Sequence, residues 1–244
     1  MTQGRNQFKS SASPQKNCTQ VQVESDAADT FAIERSLLTQ GLSPVAGVDE
    51  AGRGPLAGPV GAAWVILPAE CDYRPFRDSK LLSEKSRATL AALLQENGTV
   101  FGLGLAEADE IDAVNILQAS LLAMRRAVEA CSQANKDIMP ACLLVDGKFA
   151  VPLPLVQQTL VRGESKSASI AAASILAKVH RDHLMTTLHE QYPCYGWLQN
   201  KGYPTKAHRQ ALADHGPCPQ HRRSFKGVRE FSGLAGSITG QHQR

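Results

Sequence analysis

The chain has 244 residues, of which 43% are hydrophobic and 20% charged, the composition of an ordinary globular protein and not of a fibrous, disordered or disulfide-framework chain. That length accommodates one sizeable domain or two small ones, either able to bury a core without disulfide or metal staples. Lys plus Arg exceed Asp plus Glu by only 26 to 23, so a polyanionic partner has to be sought in local clusters of charge.

The six cysteines contain no Cys-x-x-Cys pair, so zinc and thioredoxin-like motifs lack their usual spacing and reduced, mostly buried thiols are expected. No apolar run approaches the roughly 18 residues of a membrane span, and the N-terminus has no signal-peptide core. A cytoplasmic protein without a membrane partner is the expectation.

Thirteen of the first 25 residues are Ser, Thr, Asn or Gln, too polar to offset the entropy of ordering them. They read as a mobile tail, followed by a short helix over 31–38 and a Gly-Pro breaker at 41–44. The folded core is expected from residue 45, with residues 1–43 set aside as a polar, disordered tail. The runs 45–48 and 60–67 are small and apolar, and read as buried strands, the first ending in Asp49 and Glu50. Ser83, followed by Arg87, Leu90, Leu93 and Leu94, caps a helix that Gly98 stops. Residues 99–105 read as a third strand, and 107–133 as a long amphipathic pattern split near 112–115. A further apolar strand over 141–145 ends in Asp146, and a second long helix, rich in Ala, runs over 167–191. Strands ending in acids and separated by helices indicate an α/β sheet with its site at one strand edge. The domain plan is a core over 44–190, a helical substrate-binding part over 191–228 and a flexible tail over 229–244.

Two adjacent acids on a strand point to opposite faces, so Asp49 and Glu50 can share a site only where the strand ends and the backbone bends. Gly52, Gly54 and Gly58 supply that freedom, and the segment lacks the Gly-Lys-Ser/Thr of a phosphate loop. Asp146 at the end of a second apolar strand can converge on the same point. Carboxylates gathered in this way repel one another and favour a hard divalent cation, Mg²⁺ or Mn²⁺. Along the Ala-rich helix Ser174, Lys178 and Asp182 recur every four residues, on one face, where Lys178 and Asp182 also suit a plain helical ion pair. From residue 178 to 229 nine Lys and Arg face three Asp and Glu, interleaved with aromatics, a pattern suited to phosphates and to stacking on a base or sugar. The histidines of this stretch read as surface or phosphate-facing groups.

With these segments in place the chain resembles the bacterial ribonuclease HII family over roughly residues 44–228. The resemblance rests on six motifs in order: Gly47-Val48-Asp49-Glu50-Ala51-Gly52-Arg53-Gly54-Pro55-Leu56-Ala57-Gly58-Pro59-Val60; Asp78-Ser79-Lys80 with Leu82-Ser83; Val145-Asp146-Gly147; the stretch 169–182; Lys201-Gly202-Tyr203; and His221-Arg222-Arg223-Ser224-Phe225. It implies a ribonuclease H-like mixed β-sheet flanked by helices, with a small helical C-terminal part. It also implies an endonuclease, expected to act as a monomer, that cuts the RNA strand of RNA–DNA hybrids and single ribonucleotides embedded in duplex DNA.

Residue by residue, Asp49, Glu50 and Asp146 match the family's metal-binding acids. Its fourth acid is usually an Asp after Gly ahead of the Ala-rich helix; Glu164 stands there, and its longer side chain still offers a carboxylate. Asp182 is the rival for that role. The resemblance further implies two Mg²⁺ or Mn²⁺ ions roughly 4 Å apart, an in-line attack of water at phosphorus, and 5′-phosphate and 3′-hydroxyl ends. Gly52, Arg53 and Gly54 would read the 2′-hydroxyl, Tyr203 would lie against the next sugar, and Lys80 and Lys178 would meet phosphates. Two other readings stay open: a non-catalytic binder of RNA–DNA junctions, and a different metal-dependent nuclease or phosphatase on a similar sheet.

Overall fold

The computed structural model describes residues 29–76, 79–96, 99–134 and 138–231. Residues 1–28 of the tail expected over 1–43, Asp78, the Gly98 helix stop and residues 232–244 lie outside them. Two small-residue runs make the centre of the sheet: β1 (Val45–Ala51) and β2 (Val60–Ile66) pair antiparallel, with Val48 opposite Trp64. β3 (Val100–Ala106) extends β2 antiparallel, while β4 (Cys142–Asp146) lies parallel to β1 on its other side. β5 (Val156–Leu160) adds to β4 in parallel, so the order is β3-β2-β1-β4-β5. The expectation of a mixed sheet holds, but β5 lacks a sequence signal. Its middle is Gln157-Gln158-Thr159, at a sheet edge where polar side chains are tolerated. There the Gln157 amide bonds the backbone N–H and C=O of Val151.

Helices cover both faces. α3 (Ala108–Val114) and α4 (Ile116–Ala134) are separated at Asn115, whose φ of 71° breaks the helix and whose side chain accepts the Leu117 and Gln118 N–H groups. Ala119, Ala123, Met124 and Ala127 of α4 pack on Ala46, Val48, Trp64, Leu143 and Val145. The opposite face takes α5 (Ala168–Gln191), capped by the Ser167 hydroxyl accepting from the Ile170 N–H, together with α2 (Glu84–Glu96). Ser83 accepts the Ser86 N–H at the start of α2, as its sequence indicates. Among the described residues no helix is long and apolar enough to cross a membrane.

Two expectations need correction. Residues 32–39 form α1 (Ala32–Thr39), which is part of the folded body and not of a tail: Ile33 and Leu37 are buried with Val45, Leu144 and Ile170. Its buried Glu34 carboxylate also accepts the Ser167 hydroxyl at 2.6 Å and the Ser169 N–H at 3.0 Å, tying α1 to the start of α5. The histidines are not all at the surface either. His208, on α7 (Lys206–His215), and His221 are fully buried beside Trp197, at the start of α6 (Trp197–Asn200). The Trp197 indole N–H donates to His208 Nε2, whose Nδ1 lies 3.0 Å from the Tyr203 carbonyl oxygen. Burial drives both imidazoles toward the neutral form, His221 down to about 3.

The contact that sets α5 against the sheet is at Gly47. A Cβ there would lie 2.1 Å from the Ser169 carbonyl carbon, a backbone atom that cannot yield without moving the helix. Gly47→Ala is therefore expected to destabilise the fold by about 3 kcal/mol in urea unfolding. A loss below about 0.5 kcal/mol would show that the approach is not this close.

Candidate active site

Alternation along the strands decides which acids meet. Val48 pairs with Val145 and both face α4, so the next residue on each parallel strand, Asp49 and Asp146, turns to the α5 side. Glu50 reaches the same space because β1 ends one residue later and the chain bends through Gly52, whose φ is 95°. Glu164 arrives from the tight turn Gly163–Ser165 between β5 and α5. That turn is docked on β4: the Gly163 N–H donates to Asp146 Oδ1 at 2.6 Å.

These four carboxylates open on one cavity of about 300 Å³, whose walls also include Gly52, Arg53, Gly54, Lys80, Lys178 and Tyr203. Ten of the eleven site residues read from the sequence thus share one space. Asp182 does not line it; its carboxylate pairs with Lys178 Nζ at 2.8 Å, one helical turn away. The Lys178 ammonium in turn lies 5.5 Å from the centre of the Tyr203 ring. Sequence reading missed Ser79 and Arg87. The Ser79 N–H donates to Glu164 Oε2 at 3.1 Å, its hydroxyl meets that of Ser174 at 2.6 Å, and Arg87 holds the Ser79 carbonyl at 2.9 Å. Their signal was limited to a Ser-Lys pair and one helical arginine. Arg181 and Arg222 need the opposite correction: counted among the phosphate-facing bases, both are fully buried.

Charge in the cavity is unevenly compensated. Glu50 lies 3.2 Å from Arg53, and Glu164 lies 2.9 Å from Lys80. Burial raises the Glu50 pKa, and the Arg53 charge pulls against that rise. Asp49 is more extreme. Burial, then the charges of Glu50, Asp146 and Glu164, push its carboxyl well above the usual range. Its Oδ1 accepts the Glu50 N–H at 2.7 Å, but Oδ2 is buried without a hydrogen-bond partner among the described residues. A buried carboxylate oxygen with no donor, surrounded by other acids, suits a proton or a hard cation, and an oxygen-only donor set fits Mg²⁺ or Mn²⁺. With Glu50 and Glu164 turned to their cations, no three His, Cys, Asp or Glu side chains among the described residues form a ready metal-holding group.

A family model for ribonuclease HII matches residues 46–228, a span that runs from β1 past α7. The chain belongs to the ribonuclease HII family. It is 57% identical over 203 residues to the ribonuclease HII of Desulfotalea psychrophila, covering 83% of this chain and 89% of that one. It is 51% identical over 208 residues to that of Syntrophotalea carbinolica, covering 85% and 97%. Among solved structures it is similar to the ribonuclease H2 of Pyrococcus horikoshii, at 26% identity and a TM-score of 0.61, over 78% of this chain and 97% of that one. A Bst ribonuclease HIII shares the fold, with 16% identity and a TM-score of 0.63 over 79% of this chain and 70% of that one. The fold is thus ribonuclease H-like, and the protein is a hydrolase, a ribonuclease HII-type endoribonuclease acting on RNA–DNA hybrids.

The sign of the Asp49 shift gives a test. Because its folded pKa lies above the unfolded value near 4, the ionised carboxylate costs stability, a cost absent below that pH and growing as pH rises. In metal-free buffer at pH 7, Asp49→Asn should raise unfolding stability by roughly 1–3 kcal/mol, and the gain should vanish near pH 3.5. A loss of stability at pH 7 would show that Asp49 is compensated in some other way.

Proposed function

We propose that this cavity is the catalytic centre, and that the enzyme cuts the RNA strand of hybrids and the 5′ side of single ribonucleotides embedded in duplex DNA, leaving 5′-phosphate and 3′-hydroxyl ends. The observation that carries the reading is that Asp49, Glu50, Asp146 and Glu164 line one cavity, with Asp49 Oδ2 lacking a hydrogen-bond partner among the described residues, beside a loop of Gly52, Arg53 and Gly54. Asp49, Glu50, Asp146 and Glu164 would hold Mg²⁺ or Mn²⁺. Bound there, a divalent ion supplies Lewis acidity, makes water a usable nucleophile near neutral pH and offsets charge on the leaving oxygen.

The chain's own residues do the placing. Asp146 is fixed by the Gly163 N–H, and Glu164 by the Ser79 N–H, so both carboxylates are oriented before substrate arrives. Lys178 is steered by Asp182 toward the Tyr203 ring, which sets its charge at the cavity wall for a phosphate. Lys80, whose side chain is mostly exposed, reaches Glu164 from the rim and can also meet a backbone phosphate. Tyr203 is 40% exposed although it is a large ring, which leaves a face for the sugar of the following nucleotide. A Cβ on Gly54 would lie 3.8 Å from Tyr203 Cε1, so loop and ring border the same nucleotide-sized space.

Three duplexes test the reading: one carrying a single ribonucleotide, one all-DNA and one a continuous hybrid, each incubated with Mg²⁺ or Mn²⁺ and the ends mapped. Cleavage 5′ to the ribonucleotide and along the hybrid, with the all-DNA duplex intact, is the expected result. Binding without cleavage would make this a junction binder, and cutting of all-DNA would overturn the substrate. Glu164→Ala should lower kcat by about 100-fold or more, and Asp182→Ala, which removes a positioning partner, by about tenfold. The reverse ranking would move the fourth acid to Asp182.

A further inference from the structure

A guanidinium is always charged and carries five donors, so burying one is costly unless those donors are met. Arg181 and Arg222 are both fully buried, and neither has an acid as its partner among the described residues. Burial, then the neighbouring Arg181 charge, pulls Arg222 down to about 9. Their donors go to backbone carbonyls. Arg222 reaches Gly52 O at 2.7 Å, Pro55 O at 2.9 Å, and Arg53 O and Gly58 O at 3.0 Å. Arg181 reaches Pro59 O at 2.9 Å, Ala57 O at 3.1 Å and, across the cleft wall, Lys201 O at 3.0 Å. Six carbonyls of the segment 52–59 are thereby turned into the protein.

Peptide planarity converts this into an outward-facing array. In a trans peptide the C=O of one residue and the N–H of the next point in opposite directions. With Gly52 O and Arg53 O drawn inward, the N–H groups of Arg53 and Gly54 are directed away from the arginines, and no group among the described residues accepts from them. Leu56 N–H, opposite Pro55 O, is instead taken by Gly202 O at 2.8 Å, which ties the loop to the turn that bears Tyr203. Arg181 strengthens the same tie, since its guanidinium lies 6.0 Å from the Tyr203 ring centre. The glycine at 52 follows from this arrangement: a Cβ there would sit 2.0 Å from Arg181 Nε.

We propose that Arg181 and Arg222 are positioning residues for ribose recognition: by holding the loop carbonyls inward they pre-aim the Arg53 and Gly54 N–H donors at the ribonucleotide and fix their distance from Tyr203. The inference rests on the reading of the 52–54 loop given above. Two buried positive charges behind those donors also favour the electron-rich oxygens of a ribose and its phosphate on the outer side. Neither arginine touches substrate; both act through the backbone.

Arg181→Lys and Arg222→Lys test this, since lysine keeps the charge but cannot span several carbonyls. Affinities are measured by fluorescence anisotropy, with chelator present, for a duplex with one ribonucleotide and for its all-DNA counterpart. Each variant should lower the ribonucleotide preference by about tenfold or more while changing all-DNA affinity by less than about twofold. A preference kept in full, or equal weakening on both duplexes, would overturn the positioning role while leaving the loop reading intact. A wild-type protein that binds both duplexes alike would instead refute the loop reading, and the positioning role with it. If a lysine variant does not melt cooperatively, NMR of the wild type decides. Exchange-protected Arg181 and Arg222 Nε–H signals are expected, with Arg53 and Gly54 amide shifts larger on the ribonucleotide duplex; unprotected signals, or equal shifts, would refute the proposal.

Discussion

Asp49 and Asp146 leave adjacent parallel strands one step beyond the Val48–Val145 pair, on the same face of the sheet, and their repulsion is the constraint around which the molecule is arranged. Parallel pairing at this register makes the encounter unavoidable, because side chains of neighbouring strands at the same step share a face. The core on that face is closed by α5, which comes close only because β1 carries Gly47 and the helix is rich in alanine. Glu34 and Ser167 anchor the beginning of α5, and so fix the turn from which Glu164 enters. Packing and chemistry are therefore the same problem here: the contacts that fill the core also set where the carboxylates stand.

Positive charge is used in two distinct ways. Arg53, Lys80 and Lys178 sit at the cavity and pair with acids, so they balance charge where a polyanion would be held. Arg181 and Arg222 are withdrawn from solvent and spend their donors on carbonyls, so they shape the backbone. A guanidinium suits that work better than an ammonium because its donors form a planar fork. The mild net charge of +3 conceals this division between cations that line the cavity and cations that build the wall.

Much of this was legible from residues alone. The apolar runs that become β1, β2 and β4, the cap at Ser83 and the break before Asn115 carry local signals, and acids at the ends of buried strands stood out because burying them is costly. β5 was hidden because an edge strand needs no apolar run; the short helix at 31–38 was legible, but not its place in the folded body, because Ile33 and Leu37 acquire meaning only against Leu144 and Ile170. Burial of charged and titratable groups was the least legible feature. Arg181, Arg222, His208 and His221 have the same letters as surface residues, and only the positions of distant carbonyls and rings show that they are interior.

The proposed metal site can be tested most directly without catalysis. Mn²⁺ is titrated into the wild-type protein and into Asp49→Asn, and the free ion is followed by its electron paramagnetic resonance signal. Because the buried Asp49 Oδ2 has no other partner among the described residues, the variant should bind Mn²⁺ more weakly by about tenfold or more. Equal binding by the two proteins would contradict a metal centre built on the acids of β1 and β4.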